Sequence, residues 1–226
     1  MRTWAVVPVK ARDRAKERLA DSLTPLERAE LVDAMLSDVL AALGQSRTLG
    51  GLAVLSADPA VLALARSWGA EALLESEPLG YREAADAAAR LAATRGWEAL
   101  LIVPGDVPLV TAADVDGLIG FAQQQPRAVV LCPDRGRRGT NALLRRPPTS
   151  LAAQFGADSL HCHQTQARAQ GLTCRVWPNP NLALDVDTAD DLQVVLARGG
   201  GAATRRALAH LAISSRGAHL EALAAR

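Results

Sequence analysis

The sequence predicts an α/β fold: a single-domain, three-layer sandwich in which a mostly parallel sheet is covered by helices on both faces. Three observations predict it. Short apolar runs alternate with helix-spaced segments along the first half of the chain. The most apolar run, ALLIVP at residues 99–104, carries no polar position, as a strand buried on both faces requires. Apolar residues make up 49% of the chain but aromatics only 3%, so the core is large and built mainly from Ala, Leu and Val.

Residues 4–9 (WAVVPV) form the first buried strand, and a basic loop, KARDRAKERLA, follows at residues 10–20. Thr24, Pro25 and Glu27 are a helix start: Thr as N-cap, Pro at N1, Glu at N3. Val32, Met35, Leu36, Val39 and Leu40 continue at helical spacing, and Gly44 stops the helix. Residues 51–55 are the second strand, and Asp58-Pro59 caps a helix closed by Gly69. Residues 71–74 are a short third strand, residues 82–95 an Ala-rich helix, and residues 99–104 the fourth strand. Residues 128–133 and 141–147 are strands joined by the loop DRGRRGT. Residues 159–170 are a helix, 174–178 a strand and 188–198 a helix. Gly199, Gly200 and Gly201 break the chain, and a weakly amphipathic helical tail spans about residues 203–224, either packed or frayed.

Composition narrows the function. The 25 basic and 24 acidic residues leave a net charge of +1, which argues against a nucleic-acid or acidic-membrane binder. Cys132, Cys162 and Cys174 form no CxxC and no disulfide framework. Free thiols, an N-terminal apolar stretch too short for a signal peptide, and no run of transmembrane length predict a soluble cytoplasmic protein.

Chemistry concentrates at three aspartates. Asp185 and Asp187, in LALDVDTADDL, face one side if strand geometry holds through Val186. Asp106, in PGDVPLV, leaves the fourth strand where open α/β sheets place their ligands. Clustered carboxylates repel unless a cation joins them, and hard oxygen ligands point to Mg²⁺. The alternative is that each Asp only caps a following helix near Thr111 and Thr188.

No P-loop and no GxGxxG is present. The cation candidates lie instead in the first loop, where Lys10, Lys16 and Arg18 reach one face if the loop folds back; Arg12, Arg14 and Glu17 read as solvated. A second anion candidate is the Gly-rich loop 134–141 with Thr140. A third is FGADS, residues 155–159, where Ser159 opens a helix; of His161 and His163 on that helix, at most one faces the site. Each loop has an ordinary structural reading, as a charged surface loop, a hairpin turn and a Ser cap. No Ser/His/Asp or Cys/His nucleophile set is evident.

Taken in order, VPVK with AKERLA, PGDVPLV, PDRGRRGTNALL, FGADS with His163, and LALDVDTADDL resemble the guanylyltransferases of deazaflavin coenzyme biosynthesis, which act on 2-phospho-L-lactate or phosphoenolpyruvate. The resemblance covers the chain to about residue 197 and implies a nucleotide-diphospho-sugar-transferase-like fold. It implies a nucleotidyltransferase domain at residues 1–198; residues 199–226, the Gly-linked helical tail, are not explained by it. It implies that Asp106, Asp185 and Asp187 hold Mg²⁺. Lys10, Lys16 and Arg18 then lie along the triphosphate as catalytic cations, with Val7, Pro8, Lys10, Gly80 and Asp106 binding the nucleotide. Thr140, Gly156 and Ser159 hold the phosphorylated acid.

The implied partners are GTP and a small phosphorylated three-carbon acid, in a possible homodimer, with no nucleic acid or membrane. The implied reaction joins GMP to the acid and releases pyrophosphate. The chain departs from the family at Leu79-Gly80-Tyr81-Arg82-Glu83, where Arg82 replaces an Asn associated with the base, and at Asp158, where a Gly is commoner. These departures admit 3-phosphoglycerate as acceptor, another nucleotide or acceptor altogether, or a catalytically silent nucleotide-binding module.

Overall fold

The computed structural model describes residues 1–12, 15–75 and 80–214. Seven strands form one sheet: β1 (Thr3–Pro8), β2 (Leu49–Ser56), β3 (Glu71–Leu74), β4 (Ala99–Ile102), β5 (Ala128–Pro133), β6 (Thr140–Arg146) and β7 (Thr173–Val176). Their order is β3-β2-β1-β4-β6-β5-β7. All neighbours pair in parallel except β6, which runs antiparallel to both β4 and β5. The Gly-rich loop is thus a hairpin connection between β5 and β6, which needs no crossover helix.

Alternate strand residues supply two cores, as a period of two dictates. Ala5, Val7, Val54, Leu101 and Val130 pack under α1 (Pro25–Gly44), α2 (Pro59–Ser67) and α4 (Ala112–Gln123). Val6, Ala53, Leu100, Val129 and Leu143 face α3 (Tyr81–Thr94) and α5 (Ser159–Ala169). The inner stripe of α3 is Ala84, Ala85, Ala88, Ala89 and Ala92, so this helix sits close on the sheet with few aromatics needed.

The helix starts read from sequence have their expected chemistry. Thr24 and Glu27 form a capping box with Pro25 at the first turn, and Asp58 accepts the amide of Ala60. Equivalent boxes, Thr111 with Asp114 and Thr188 with Asp191, start α4 and α6 (Ala189–Arg198).

Two expectations change. Residues 182–187 join no strand ladder; Val186 N–H donates to the Asp106 carbonyl at 3.0 Å, and the Ala183 carbonyl accepts the Arg135 N–H at 3.0 Å. Extended alternation survives without a sheet, because Leu182, Leu184 and Val186 are buried while Asp185 and Asp187 point the other way. Arg12 is not solvated: its guanidinium reaches Asp33 at 2.6 Å and Asp58 at 3.1 Å, tying the first loop to α1 and α2. Arg14 lies outside the described residues.

The tail begins as α7 (Ala202–Ser214), which docks on α1 rather than fraying. Asp38 of α1 accepts the amides of Ala203 and Thr204 at 2.8 Å each and the Thr204 hydroxyl at 2.7 Å. Gly201, at φ 65°, lies so close to Pro108 and Asp38 that a side chain there would press on both. The remainder of the expected tail helix, from residue 215, lies outside the described residues. Leu208 and Leu211 join Leu19, Leu31, Leu109, Leu184 and Val186 in a third core beneath the loops that follow β1 and β4.

Candidate active site

β1 is followed by β2 on one side and paired with β4 on the other, so the connections diverge above its C-terminal end. Such a divergence leaves a crevice beyond the strand ends. A cleft of about 300 Å³ opens there, lined by Pro8, Lys10, Lys16, Tyr81, Asp106 and Asp187 over a floor of Val32 and Met35.

Lys16 dominates the cleft. Its backbone is left-handed, at φ 55°, and its side chain is only 7% exposed. The ammonium lies 2.6 Å from Asp106 and 3.1 Å from Asp187. Burial would lower the Lys16 pKa, but Asp106 and then Asp187 outweigh it, and the value is raised, so the charge is retained. Arg18 approaches Asp187 from outside at 3.3 Å. Asp185 sits behind, accepting from Asn141 Nδ2 at 3.1 Å. Burial and, secondarily, the neighbouring carboxylates raise the Asp185 pKa against that hydrogen bond.

The expected aspartate trio is therefore arranged as a pair, Asp106 and Asp187, sharing one ammonium, with Asp185 held by Asn141. Among the described residues, no three His, Cys, Asp or Glu side chains gather as a metal set. Mg²⁺ ordinarily takes only one or two carboxylates and completes its shell with water and substrate phosphates. The residues fit such an ion, because Asp106 Oδ1 is buried without any hydrogen-bond partner.

The other nucleotide candidates divide. Pro8 and Lys10 line the cleft, whereas Val7 is wholly buried in the core and does not line it. Gly80 caps α3 at a second, more open depression of about 410 Å³, shared with Tyr81, Arg82, Glu83, Phe155 and Gly156.

The acceptor candidates converge beside that depression. Thr140 opens β6 and is buried against His163 of α5. Ser159 N–H donates to the Gly156 carbonyl at 3.2 Å, and Gly156 adopts φ 118°, which a side chain would strain. The charge that Asp158 brings is answered by Arg138, whose Nε lies 2.9 Å away and holds the Asp158 pKa down. Arg82 does not enter the nucleotide cleft. It donates to the Phe155 carbonyl, and its Nη2 faces Gly156.

Sequence reasoning assigned no role to Asn141, His163 or Tyr81. Asn141 and His163 stood inside quoted motifs, but which partner each side chain meets depends on how β6 and α5 pack. Tyr81 carried a local signal as a departure from the family segment.

Solved structures share this fold. A protein from Desulfovibrio desulfuricans G20, assigned as a nucleotide-diphospho-sugar transferase, superimposes with a TM-score of 0.70 at 18% identity, over 92% of this chain and 99% of the other. A CMP:2-keto-3-deoxy-manno-octonic acid synthetase complexed with CTP gives a TM-score of 0.57 at 15% identity, over 88% and 98%.

Relatives in sequence are closer. Phosphoenolpyruvate guanylyltransferase of Rubrobacter xylanophilus is 44% identical over 88% of this chain and 96% of its own. 2-Phospho-L-lactate guanylyltransferase of Methanothermobacter thermautotrophicus is 37% identical over 93% and 92%. 3-Phospho-D-glycerate guanylyltransferase of Colwellia psychrerythraea is 33% identical over 86% and 91%.

Fold, site and relatives together define a nucleotidyltransferase. More narrowly, the chain belongs to the family described as "Guanylyl transferase CofC like", which it matches over residues 3–225. That match takes in α7, which the sequence motifs had left outside.

Proposed function

We propose that this enzyme transfers GMP from GTP to a small phosphorylated three-carbon acid, with Mg²⁺ and with release of pyrophosphate, in deazaflavin coenzyme biosynthesis. The observation that carries the reading is Lys16 clamped between Asp106 and Asp187 at the end of β1, beside the Thr140, Gly156 and Ser159 loops. One cleft thereby offers cations and carboxylates suited to a metal-bound triphosphate. The adjoining loops offer the Thr140 hydroxyl and, at Gly156, a backbone without a side chain that an anion can approach closely.

No protein nucleophile is needed. A phosphate oxygen of the acid attacks the α-phosphorus of GTP, a new phosphoanhydride bond forms, and the bond to the β-phosphate breaks. The attacking phosphate is largely ionised near neutral pH, so no proton must first be removed. Lys16, Lys10 and Arg18 orient the triphosphate and offset charge on the leaving pyrophosphate. Asp106 and Asp187 are the residues that would hold Mg²⁺, which when bound supplies further charge neutralisation on the phosphates.

Arg82 favours an acid that carries a carboxylate besides its phosphate. Its guanidinium lies against the acceptor loop at Phe155 and Gly156, and a planar fork suits a carboxylate. The test is incubation with GTP, Mg²⁺ and each of phosphoenolpyruvate, 2-phospho-L-lactate and 3-phosphoglycerate, followed by pyrophosphate detection. Release above background with at least one acid is expected. None with any of the three, in an assay where a known guanylyltransferase works, overturns the reading.

A further inference from the structure

Tyr81, the first residue of α3, is the one described residue that lines both the Lys16–Asp106 cleft and the Arg82–Gly156 depression. Its ring is fixed edge-on against Phe155, with centroids 4.7 Å apart and planes at 88°. Its hydroxyl is buried and has no hydrogen-bond partner. A buried hydroxyl left alone costs free energy, so a ligand that accepts from it is strongly favoured.

A second orphan shares the cleft. Asp106 Oδ1 is likewise buried and unpartnered. One atom lacks an acceptor and the other lacks a cation or donor, yet the two do not pair with each other. A metal-bound phosphate in the cleft would satisfy both at once, Asp106 being a residue that would hold the cation and Tyr81 a donor to a phosphoryl oxygen. Burial, then the carboxylates of Asp106 and Asp185, raise the Tyr81 pKa, so the phenol keeps its proton and stays a donor.

We propose that Tyr81 is a catalytic residue of this enzyme: its hydroxyl donates a hydrogen bond to a non-bridging oxygen of the α-phosphate, where the nucleotide and acceptor cavities meet. The inference rests on the guanylyltransferase reading above. Through the step the acid's phosphate oxygen bonds to the α-phosphorus, the bond to pyrophosphate breaks, and Tyr81 neither gains nor loses a proton. Its contribution is a fixed donor aimed at oxygens whose charge is redistributed in the transition state. Tyr81 and Arg82 together thus divide the departure from the family segment: Tyr81 serves the transferred phosphoryl group, and Arg82 faces the acceptor.

Tyr81→Phe keeps the ring and removes only the hydroxyl. With the acid that the wild type uses best, kcat is expected to fall about 10- to 100-fold, with KM for GTP and for the acid within about twofold. The unfolding temperature of the ligand-free variant should not fall, and loss of an unpartnered buried hydroxyl should raise it slightly. A second measurement uses the two α-thio diastereomers of GTP, because sulfur accepts hydrogen bonds poorly. The wild type should discriminate against one diastereomer more strongly than the variant does. An active wild type with an equally active Tyr81→Phe variant overturns the proposal. So does a slower variant whose unfolding temperature drops while its thio discrimination stays at the wild-type level. A wild type that releases no pyrophosphate with any of the three acids overturns the functional reading, and this inference with it.

Discussion

Thr140 Oγ1 and His163 Nδ1 stand 3.0 Å apart in the buried wall of the proposed acceptor site, while the other ring nitrogen of His163 receives the Gln154 amide at 2.8 Å. A backbone N–H can only donate, so Nε2 is an acceptor. Nδ1 therefore carries the proton and donates to Thr140. The Thr140 hydroxyl proton is left free to point at an anion.

His163→Leu should therefore raise KM for the acid about tenfold and leave KM for GTP nearly unchanged. His163→Asn, which restores an N–H near the position of Nδ1, should recover most of the loss. Steady-state kinetics with each substrate varied in turn checks this, and equal KM values in all three proteins would refute the tautomer.

The same histidine gives stability a pH dependence. Burial, then the charges of Arg145 and Arg82, lower its pKa from an ordinary 6.5 to about 4. The unfolded chain therefore takes up a proton that the folded chain refuses. Stability is fully present above about pH 6.5 and is lost as pH falls toward 4, by on the order of 2–3 kcal/mol. Urea unfolding across that window should show the slope in the wild type and a flatter one in His163→Asn.

Asp187→Asn and Asp106→Asn should each lower kcat/KM by at least about 100-fold without unfolding the chain. Circular dichroism alongside the pyrophosphate assay tests both halves of that expectation. Full activity in either variant would remove that residue from the triphosphate site.

Lys16→Met leaves Asp106 and Asp187 without their shared ammonium. In chelator the variant should melt roughly 2–4 °C below the wild type. Added Mg²⁺ should raise its melting temperature more than that of the wild type, since the ion then has no ammonium to displace. Identical Mg²⁺ responses would refute the shared position.

Asp38→Ala removes the acceptor for two amides and one hydroxyl at the start of α7. A loss of about 1–2 kcal/mol is expected in urea unfolding. Because Leu208 and Leu211 share a core with Leu19 and Leu109, the variant should also raise KM for GTP modestly. A C-terminal helix as resistant to limited proteolysis as in the wild type would argue against the tether.

Most elements were legible because their signals are short-ranged. Thr24-Pro25 with Glu27, and Asp58-Pro59, mark helix starts through bonds spanning two or three residues, and the observed bounds fall within one or two residues of those read. Residues 182–187 show the limit of such signals. Their alternation was right and their strand was not, because burying one side of an extended segment requires a core on that side but no sheet partner. Arg12 shows another limit, since a charged run looks solvated until Asp33 and Asp58 arrive from two different helices.

By itself the sequence determined the α/β class, the boundaries of most of its strands and helices, and the order of the candidate anion-binding loops. All of these depend on spacings of two to four residues and on turn chemistry. Only the tertiary structure decided that Lys16 closes on Asp106, 90 residues away, and on Asp187, 171 residues away, while Asp185 turns to Asn141. It also decided that Tyr81 stands between two cavities with its hydroxyl unspent. Those contacts follow from how helices dock on a twisted sheet, which sets three-dimensional neighbours that no local periodicity encodes.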